Sequence, residues 1–522
     1  MKLCKYEQLR YICPGNGGWG MVRIAMMIPE SYELFVSPAA CGRHGALGAV
    51  QHGIRDRLSY YFVEEKDIIE GYDAAVIDAA DQLLARLKAR GKRPRVLIVF
   101  VTCIDDLIGT DNAAVAEELE QSYPGLYVIF CHMNPITDDR PDSPMVSIHK
   151  SIYQLLGRLG DGMRDAGVNC IGNLEQLHPD CEFYRIAGLL GFSSVRHIRG
   201  CETFEAFAGM TRSCCNVVLF PNAMPAAALL EQSCHQPTIS MFYSYDPEKI
   251  EQNYHRLAHQ AAELTGRAVS EAFYELISEC RARLQEKAEY VSRRLRGRRV
   301  AVDDFACADP FELAEFLIRC GICVEAVGYR EAPGEQTRVE ELKKQAAGAE
   351  GLYPCWIISY QKAMWEMDGA EEEKNDLICI GVDLAYVLHA RYVADLFFDQ
   401  GNYGFYGLEV VLDRLLEASG QEANLYEMIE KRWIGGVTMG RFSFCLPPFA
   451  PDYSGVCGAL FSLGGMVVIH DAAGCTGNYV NYDEPRWYDG GAMVYCSGLR
   501  ELDAVLGNDE KLIRISVKRP AG

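Results

Sequence analysis

Three cysteines near the start of the chain stand where the sequence places little bulk around a thiol. Cys13 precedes the run Pro14-Gly-Asn-Gly-Gly-Trp-Gly20, and Cys41 lies in Ser37-Pro-Ala-Ala-Cys-Gly-Arg-His-Gly45. Cys103 follows directly on the apolar run Arg95-Val-Leu-Ile-Val-Phe-Val101. Thiolates are soft ligands that hold iron–sulfur clusters, and long spacings serve when the fold brings separate loops together. Glycine-rich turns let backbone come close to such a cluster. The chain carries 21 cysteines, so most must be small buried hydrophobes. Cluster chemistry rests on the few at strand ends and glycine turns.

Other candidates divide between chemistry and plain structure. His132 follows the run Leu126-Tyr-Val-Ile-Phe-Cys131. It reads either as a cavity-lining proton donor, since imidazole titrates near neutrality, or as a capped loop histidine. Asp105 and Asp106 read as caps on the helix after Cys103. Cys320-Gly-Ile-Cys323 has redox-pair spacing but enters an apolar strand, which favours a structural reading. Cys234-His235 reads as a turn before Pro237.

The elements that must position these residues alternate in type. Apolar runs at 95–101, 126–131, 168–171, 194–198, 216–220, 238–242, 299–302, 323–327, 355–359 and 377–381 read as buried strands, with helices such as 112–122 between them. Continuous apolar strands alternating with helices predict an α/β fold of doubly wound, Rossmann-like units with parallel sheets. Three units fit, at 1–165, 166–297 and 298–440, with a long charged helix from Pro247 to Arg296 joining the second to the third. No Gly-x-Gly-x-x-Gly turn follows a strand, and no phosphate loop ends in Gly-Lys-Ser/Thr. A nucleotide-type fold is therefore expected without nucleotide binding.

The net charge of −21 argues against nucleic acid and anionic membranes as partners. Met1 to Arg10 carries no secretory signal, and no apolar run is long enough to span a bilayer. The scattered cysteines do not form a secreted disulfide scaffold, which places the chain in the cytoplasm with reduced thiols. Residues 441–522 repeat the order of features at the start of the chain, as a partial second copy of the first unit. Cys445 and Cys475 are spaced much as Cys13 and Cys41 are, and Glu501-Leu-Asp-Ala-Val-Leu-Gly507 parallels Glu65-Lys-Asp-Ile-Ile-Glu-Gly71. This copy is expected to end before any counterpart of strand 95–101.

Val101-Thr-Cys-Ile-Asp-Asp-Leu-Ile-Gly-Thr-Asp111 resembles the strand-end cysteine motif of nitrogenase component 1 proteins. Cys13, Cys41 and the Glu65 to Gly71 stretch agree with that family in order and spacing. Weaker similarity runs to about residue 440, through Gly404-Phe-Tyr-Gly407, which reads as a turn. The tail, from Gly455-Val-Cys-Gly-Ala-Leu460 through Gly474-Cys-Thr-Gly-Asn-Tyr479, resembles the start of a second such subunit. The resemblance implies that Cys13, Cys41 and Cys103 form one half-set of ligands to an iron–sulfur cluster, either 4Fe-4S or a P-cluster-like 8Fe-7S group. Cys445 and Cys475 would begin another half-set, with Cys457 and Cys496 as spare thiols nearby. It implies electrons from an ATP-hydrolysing iron protein and a partner subunit, either a second component 1-like chain or a second copy. The catalytic cofactor of nitrogenase is held by a cysteine and a histidine. Phe220 and the neighbourhood of Ala394 occupy those positions here, with His389 the nearest histidine, and Cys214 and Cys215 fall before the strand end. No iron–molybdenum cofactor ligands are evident, so the expected reaction is an ATP-dependent reduction of a substrate other than dinitrogen. The alternative is a non-catalytic scaffold for metallocluster assembly.

Overall fold

The computed structural model describes residues 26–37, 57–63, 65–133, 144–160, 163–329, 356–359, 375–388, 390–424 and 428, together with four short strands between residues 466 and 514. In the amino-terminal part, β1 (Ser31–Ser37), β2 (Leu58–Phe62), α1 (Glu65–Glu70), α2 (Asp73–Ala89), β3 (Val96–Thr102), α3 (Cys103–Ile108), α4 (Asn112–Ser122), β4 (Tyr127–Met133) and α5 (Pro144–Leu159) follow one another. The strands pair in the order β2-β1-β3-β4, all parallel. The run Val96 to Val101 is apolar throughout because both of its faces are covered. Ile98 and Phe100 share a core with Phe35 and Cys131, while Leu97, Val99 and Val101 pack with Val76, Leu83 and Leu87 of α2. Phe35 and Phe100 stack with ring centres 4.9 Å apart.

A second parallel sheet, ordered β6-β5-β7-β8, follows. It comprises β5 (Gly167–Ile171), α6 (Glu182–Leu189), β6 (Ser194–Arg196), α7 (Phe204–Ala208), β7 (Cys215–Val218), α8 (Met224–Cys234) and β8 (Thr238–Ser240). His235 ends α8 in the left-handed conformation at φ 51°, forming the expected turn before Pro237. The segment read as one helix from Pro247 to Arg296 is two, α9 (Pro247–Thr265) and α10 (Glu271–Arg294). The break comes at Gly266, whose φ of 66° suits glycine and whose N–H caps the Ala262 carbonyl.

The third sheet has the order β11-β10-β9-β12-β13 and is also parallel. It is built from β9 (Arg299–Val302), α11 (Pro310–Arg319), β10 (Cys323–Tyr329), β11 (Trp356–Ser359), β12 (Asn375–Ile380), α12 (Val382–Val387), β13 (Ala390–Ala394) and α13 (Gly404–Ala418). Gly404-Phe-Tyr-Gly407 is thus the first turn of a helix, not a free-standing turn. Glu182 makes it so, because its carboxylate accepts from the Phe405 N–H at 2.6 Å and the Tyr406 N–H at 3.1 Å. Those are two of the amides a helix start leaves unpaired. One continuous apolar core joins the second and third sheets.

In the tail, β14 (Met466–His470), β15 (Arg486–Tyr488), β16 (Gly491–Cys496) and β17 (Leu512–Arg514) form a sheet ordered β15-β16-β14-β17. Its parallel trio β16-β14-β17 reproduces the order β2-β1-β3 of the first sheet. The expectation that no counterpart of strand 95–101 follows is corrected by β17, which pairs with β14 as β3 does with β1. Among the described residues, no helix is long and apolar enough to cross a membrane.

Candidate functional site

Because β1, β3 and β4 are parallel, their carboxyl ends leave the first sheet at one edge, the usual place for a ligand in an open α/β sheet. Cys103 is the first residue past β3 at that edge and is half-buried with a free thiol. Cys131, Cys170, Cys215 and Cys379 lie inside strands and are fully buried. Burial pushes the thiols of Cys131, Cys170, Cys181 and Cys307 well above the ordinary cysteine range, and those of Cys201, Cys280 and Cys320 up to about 11. Such thiols stay protonated and packed. Cys320 ends α11 and Cys323 opens β10, in keeping with their structural reading. The exposure and strand-end position of Cys103 fit a thiolate ligand to iron, and those of the packed thiols do not. Cys13, Cys41, Cys445, Cys457 and Cys475 lie outside the described residues.

A set of polar side chains converges behind Cys103. Asp105 is 3 % exposed and accepts from the Tyr72 hydroxyl and, at 2.7 Å, from the Asn112 side-chain amide. Burial, followed by the bond to Asp105, raises the Tyr72 hydroxyl far above the usual phenol range. The expected helix cap by Asp105 is therefore not formed. Its side chain turns inward to partners on α4 and at the start of α2, and α3 has no side-chain cap. Asp111 caps α4 instead, accepting from the Ala114 N–H at 3.0 Å. Gly109, with φ 74°, closes α3 by donating to the Asp105 carbonyl at 2.9 Å.

His132, the penultimate residue of β4, joins the same set. Its Nε2 lies 3.3 Å from the Asn112 amide nitrogen, and its Nδ1 lies 3.5 Å from Asp105 and 3.7 Å from Asp106. The short contact to an acceptor-only carboxylate fixes nitrogen, not oxygen, as the Asn112 atom facing Asp105. That amide's second proton then points to His132 Nε2, which accepts, so a neutral ring carries its proton on Nδ1. Burial lowers the His132 pKa, with Asp105 opposing. The donor atoms of Asp105, Asp106 and His132 lie within 4.8 Å of one another, close enough to surround a cation. His132 Nδ1 faces both carboxylates but has no hydrogen-bond partner among the described residues.

Phe220 and Ala394 were expected at the positions of nitrogenase cofactor ligands. Phe220 stands past the end of β7 and stacks on Tyr243 with centres 4.6 Å apart, meeting the edge of Phe398 at 5.8 Å. Ala394 ends β13 and is 1 % exposed. Cys215 is buried in β7, and the Cys214 thiol donates to the Gly167 carbonyl at 3.1 Å. Neither thiol nor imidazole stands at these two positions, so they do not fit a cofactor held by cysteine and histidine. His389 lies outside the described residues. The Phe220–Phe398 contact joins the carboxyl ends of the second and third sheets. Asp399 fastens the same junction by accepting from the N–H groups of Leu174 at 2.5 Å and Glu175 at 3.2 Å.

Comparison with known proteins agrees with this architecture. The profile described as nitrogenase component 1 type oxidoreductase matches residues 17–417. The curated relative "Nitrogenase iron-molybdenum cofactor biosynthesis protein NifE" from Clostridium pasteurianum is 23% identical over 286 residues, covering 53% of this chain. The match spans only 59% of that relative's length. The solved structure "Nitrogenase Cp1 at pH 6.5" aligns with a TM-score of 0.56 and 16% identity, over 79% of this chain and 92% of the other. "Nitrogenase Cp1 at pH 5" aligns with a TM-score of 0.51 and 16% identity, over 84% and 90%. With the family profile covering most of its length and the fold agreeing, the chain belongs to the nitrogenase component 1 type oxidoreductase family.

Proposed function

We propose that this chain holds an iron–sulfur cluster through Cys13, Cys41 and Cys103 and acts as a component of an ATP-dependent reductase. The observation that carries this reading is the placement of Cys103. It leaves β3 at the edge where β1 also ends, and Cys41 follows the last residue of β1 by four positions in sequence. Members of the family bind metal–sulfur clusters in general and generally pair with an iron protein in oligomers. Such a cluster, when bound, passes low-potential electrons. This chain's part is to supply thiolates from loops at a sheet edge and to bury the strands behind them. Cys445 and Cys475 would begin a second half-set, with a second subunit or second copy completing the cluster. The division at residues 165, 297 and 440 belongs to the same proposal, each of the first three segments carrying one parallel sheet. The electron donor would be an ATP-hydrolysing iron protein, and the compartment the reducing cytoplasm.

Phe220 and Ala394 at the cofactor positions support a substrate other than dinitrogen. A second reading, a non-catalytic scaffold in metallocluster assembly, is favoured by the similarity to the NifE protein. Anaerobic assays with an iron protein and ATP separate the two. Sustained substrate reduction supports the reductase. Transfer of a metallocluster to an acceptor without turnover supports the scaffold.

A further inference from the structure

We propose that Tyr72, Asp105, Asn112 and His132 form a positioning network for Cys103, holding its segment in the ligand-presenting conformation before any iron arrives. The inference rests on the reading of Cys103 as a cluster ligand. The segment would otherwise have little to hold it. α3 has six residues, lacks a side-chain cap, and exposes Leu107 at 77 %. An isolated helix of that length is not stable in water. What fixes it is a buried carboxylate two residues past Cys103, bonded to a hydroxyl at the start of α2 and to an amide at the start of α4. His132 extends the tie to β4, so the turn carrying Cys103 is anchored to three separate elements. Tyr72 itself is 1 % exposed and packs in the core on that face of the sheet. The tie is therefore to a rigid part of the domain.

The arrangement is specific in its protons. Asp105 can only accept, which orients the Asn112 amide, and the oriented amide fixes the His132 proton on Nδ1. Replacing Asp105 by asparagine leaves one acceptor oxygen where the Tyr72 hydroxyl and the Asn112 amide each had one. Either the Tyr72 hydroxyl turns to accept or the Asn112 amide turns over, and in both cases a charge-assisted bond to the turn is lost. A side chain that merely filled space would have no such effect.

The test uses the full chain, freed of iron under anaerobic conditions, with Tyr72→Phe, Asp105→Asn and Cys103→Ala. Hydrogen exchange is read at the Gly109 and Asn112 amides, and histidine tautomers by nitrogen NMR, with the His132 signal assigned from a His132→Gln variant. Tyr72→Phe removes one donor from a buried carboxylate, a loss expected to speed exchange in this segment on the order of tenfold. It should also weaken iron uptake and alter the paramagnetic resonance line shape of the reconstituted protein. Asp105→Asn should likewise speed exchange at these amides. Wild-type protection in both Tyr72→Phe and Asp105→Asn, with the parent His132 proton found on Nε2, would overturn the inference while leaving the cluster reading intact. Unchanged iron content in Cys103→Ala would instead overturn the cluster reading, with the exchange and tautomer results still deciding whether the network sets this turn.

Discussion

The Asn112 side-chain amide lies 2.7 Å from the Asp105 carboxylate, although Asp105 lies in the first turn of one helix and Asn112 opens the next. A charged side chain beside a candidate metal ligand is thereby turned into the protein and away from solvent. The turn between α3 and α4 is anchored by tertiary bonds, and the thiol of Cys103 is left at the sheet edge.

Gly404 should be irreplaceable. Its φ is 66°, and a Cβ there would overlap Glu182 Oε1 and the Tyr254 hydroxyl. Those two groups are bonded to each other at 2.8 Å, and Glu182 also holds the first amides of α13. Gly404→Ala combines left-handed strain with overpacking of a buried bond, and should cost about 2–4 kcal/mol. The midpoint of urea unfolding measures it, and a midpoint equal to that of the parent protein would contradict the account.

Acid should destabilise the fold through two buried histidines. The Nδ1 of His197 accepts from the Arg199 N–H at 3.1 Å and its Nε2 lies 3.0 Å from the Asn173 carbonyl, so both nitrogens are satisfied in the neutral ring. Burial depresses His197, and likewise His149, to about 4. The unfolded chain then binds protons first as pH falls. Stability from these groups is fully present above the unfolded value near 6.5 and is lost as pH falls from there towards 4. Each should contribute a loss of about 2 kcal/mol between pH 8 and pH 5. The slope of unfolding free energy against pH over this range should flatten in a His149→Gln, His197→Gln double variant. A slope unaffected by both changes would show that the imidazoles are not the source.

Phe220 should act as a packing residue. Phe220→Ala removes a stack on Tyr243 and an edge contact to Phe398, and as a partly buried position should cost about 1–3 kcal/mol. Since the ring stands at the junction of two sheets, protease cleavage near Phe398 should rise. A neutral substitution would show that the two sheets are held together elsewhere.

Much of this fold is legible in local sequence, and the misses have physical causes. Val96 to Val101 and the helix 112–122 stand out because a doubly covered parallel strand is apolar throughout and an amphipathic helix repeats near 3.6 residues. β1 is hard to see as a strand because Ser31-Tyr-Glu-Leu-Phe-Val-Ser37 carries Glu33, which is nonetheless fully buried. Burial holds that carboxyl well above the usual range, with the Arg57 guanidinium opposing. β2 and β13 hide for a similar reason, as Ser59 and Arg391 interrupt short strands. The break at Gly266 is a backbone event inside an otherwise continuous charged pattern. The helical start at Gly404 depends on Glu182, more than two hundred residues earlier. The place of Cys103 directly past β3 is legible because the apolar run before it marks the end of the strand. The inward turn of Asp105 is not, because Tyr72 lies 33 residues away.

The central claim is that Cys103 ligates iron. Anaerobic iron quantification with paramagnetic resonance of the reduced protein, for the parent chain and Cys103→Ala, tests it most directly. The account predicts bound iron and a cluster signal in the parent, and loss of both in the variant at unchanged secondary structure. Equal iron content and an identical signal in the two proteins would contradict it.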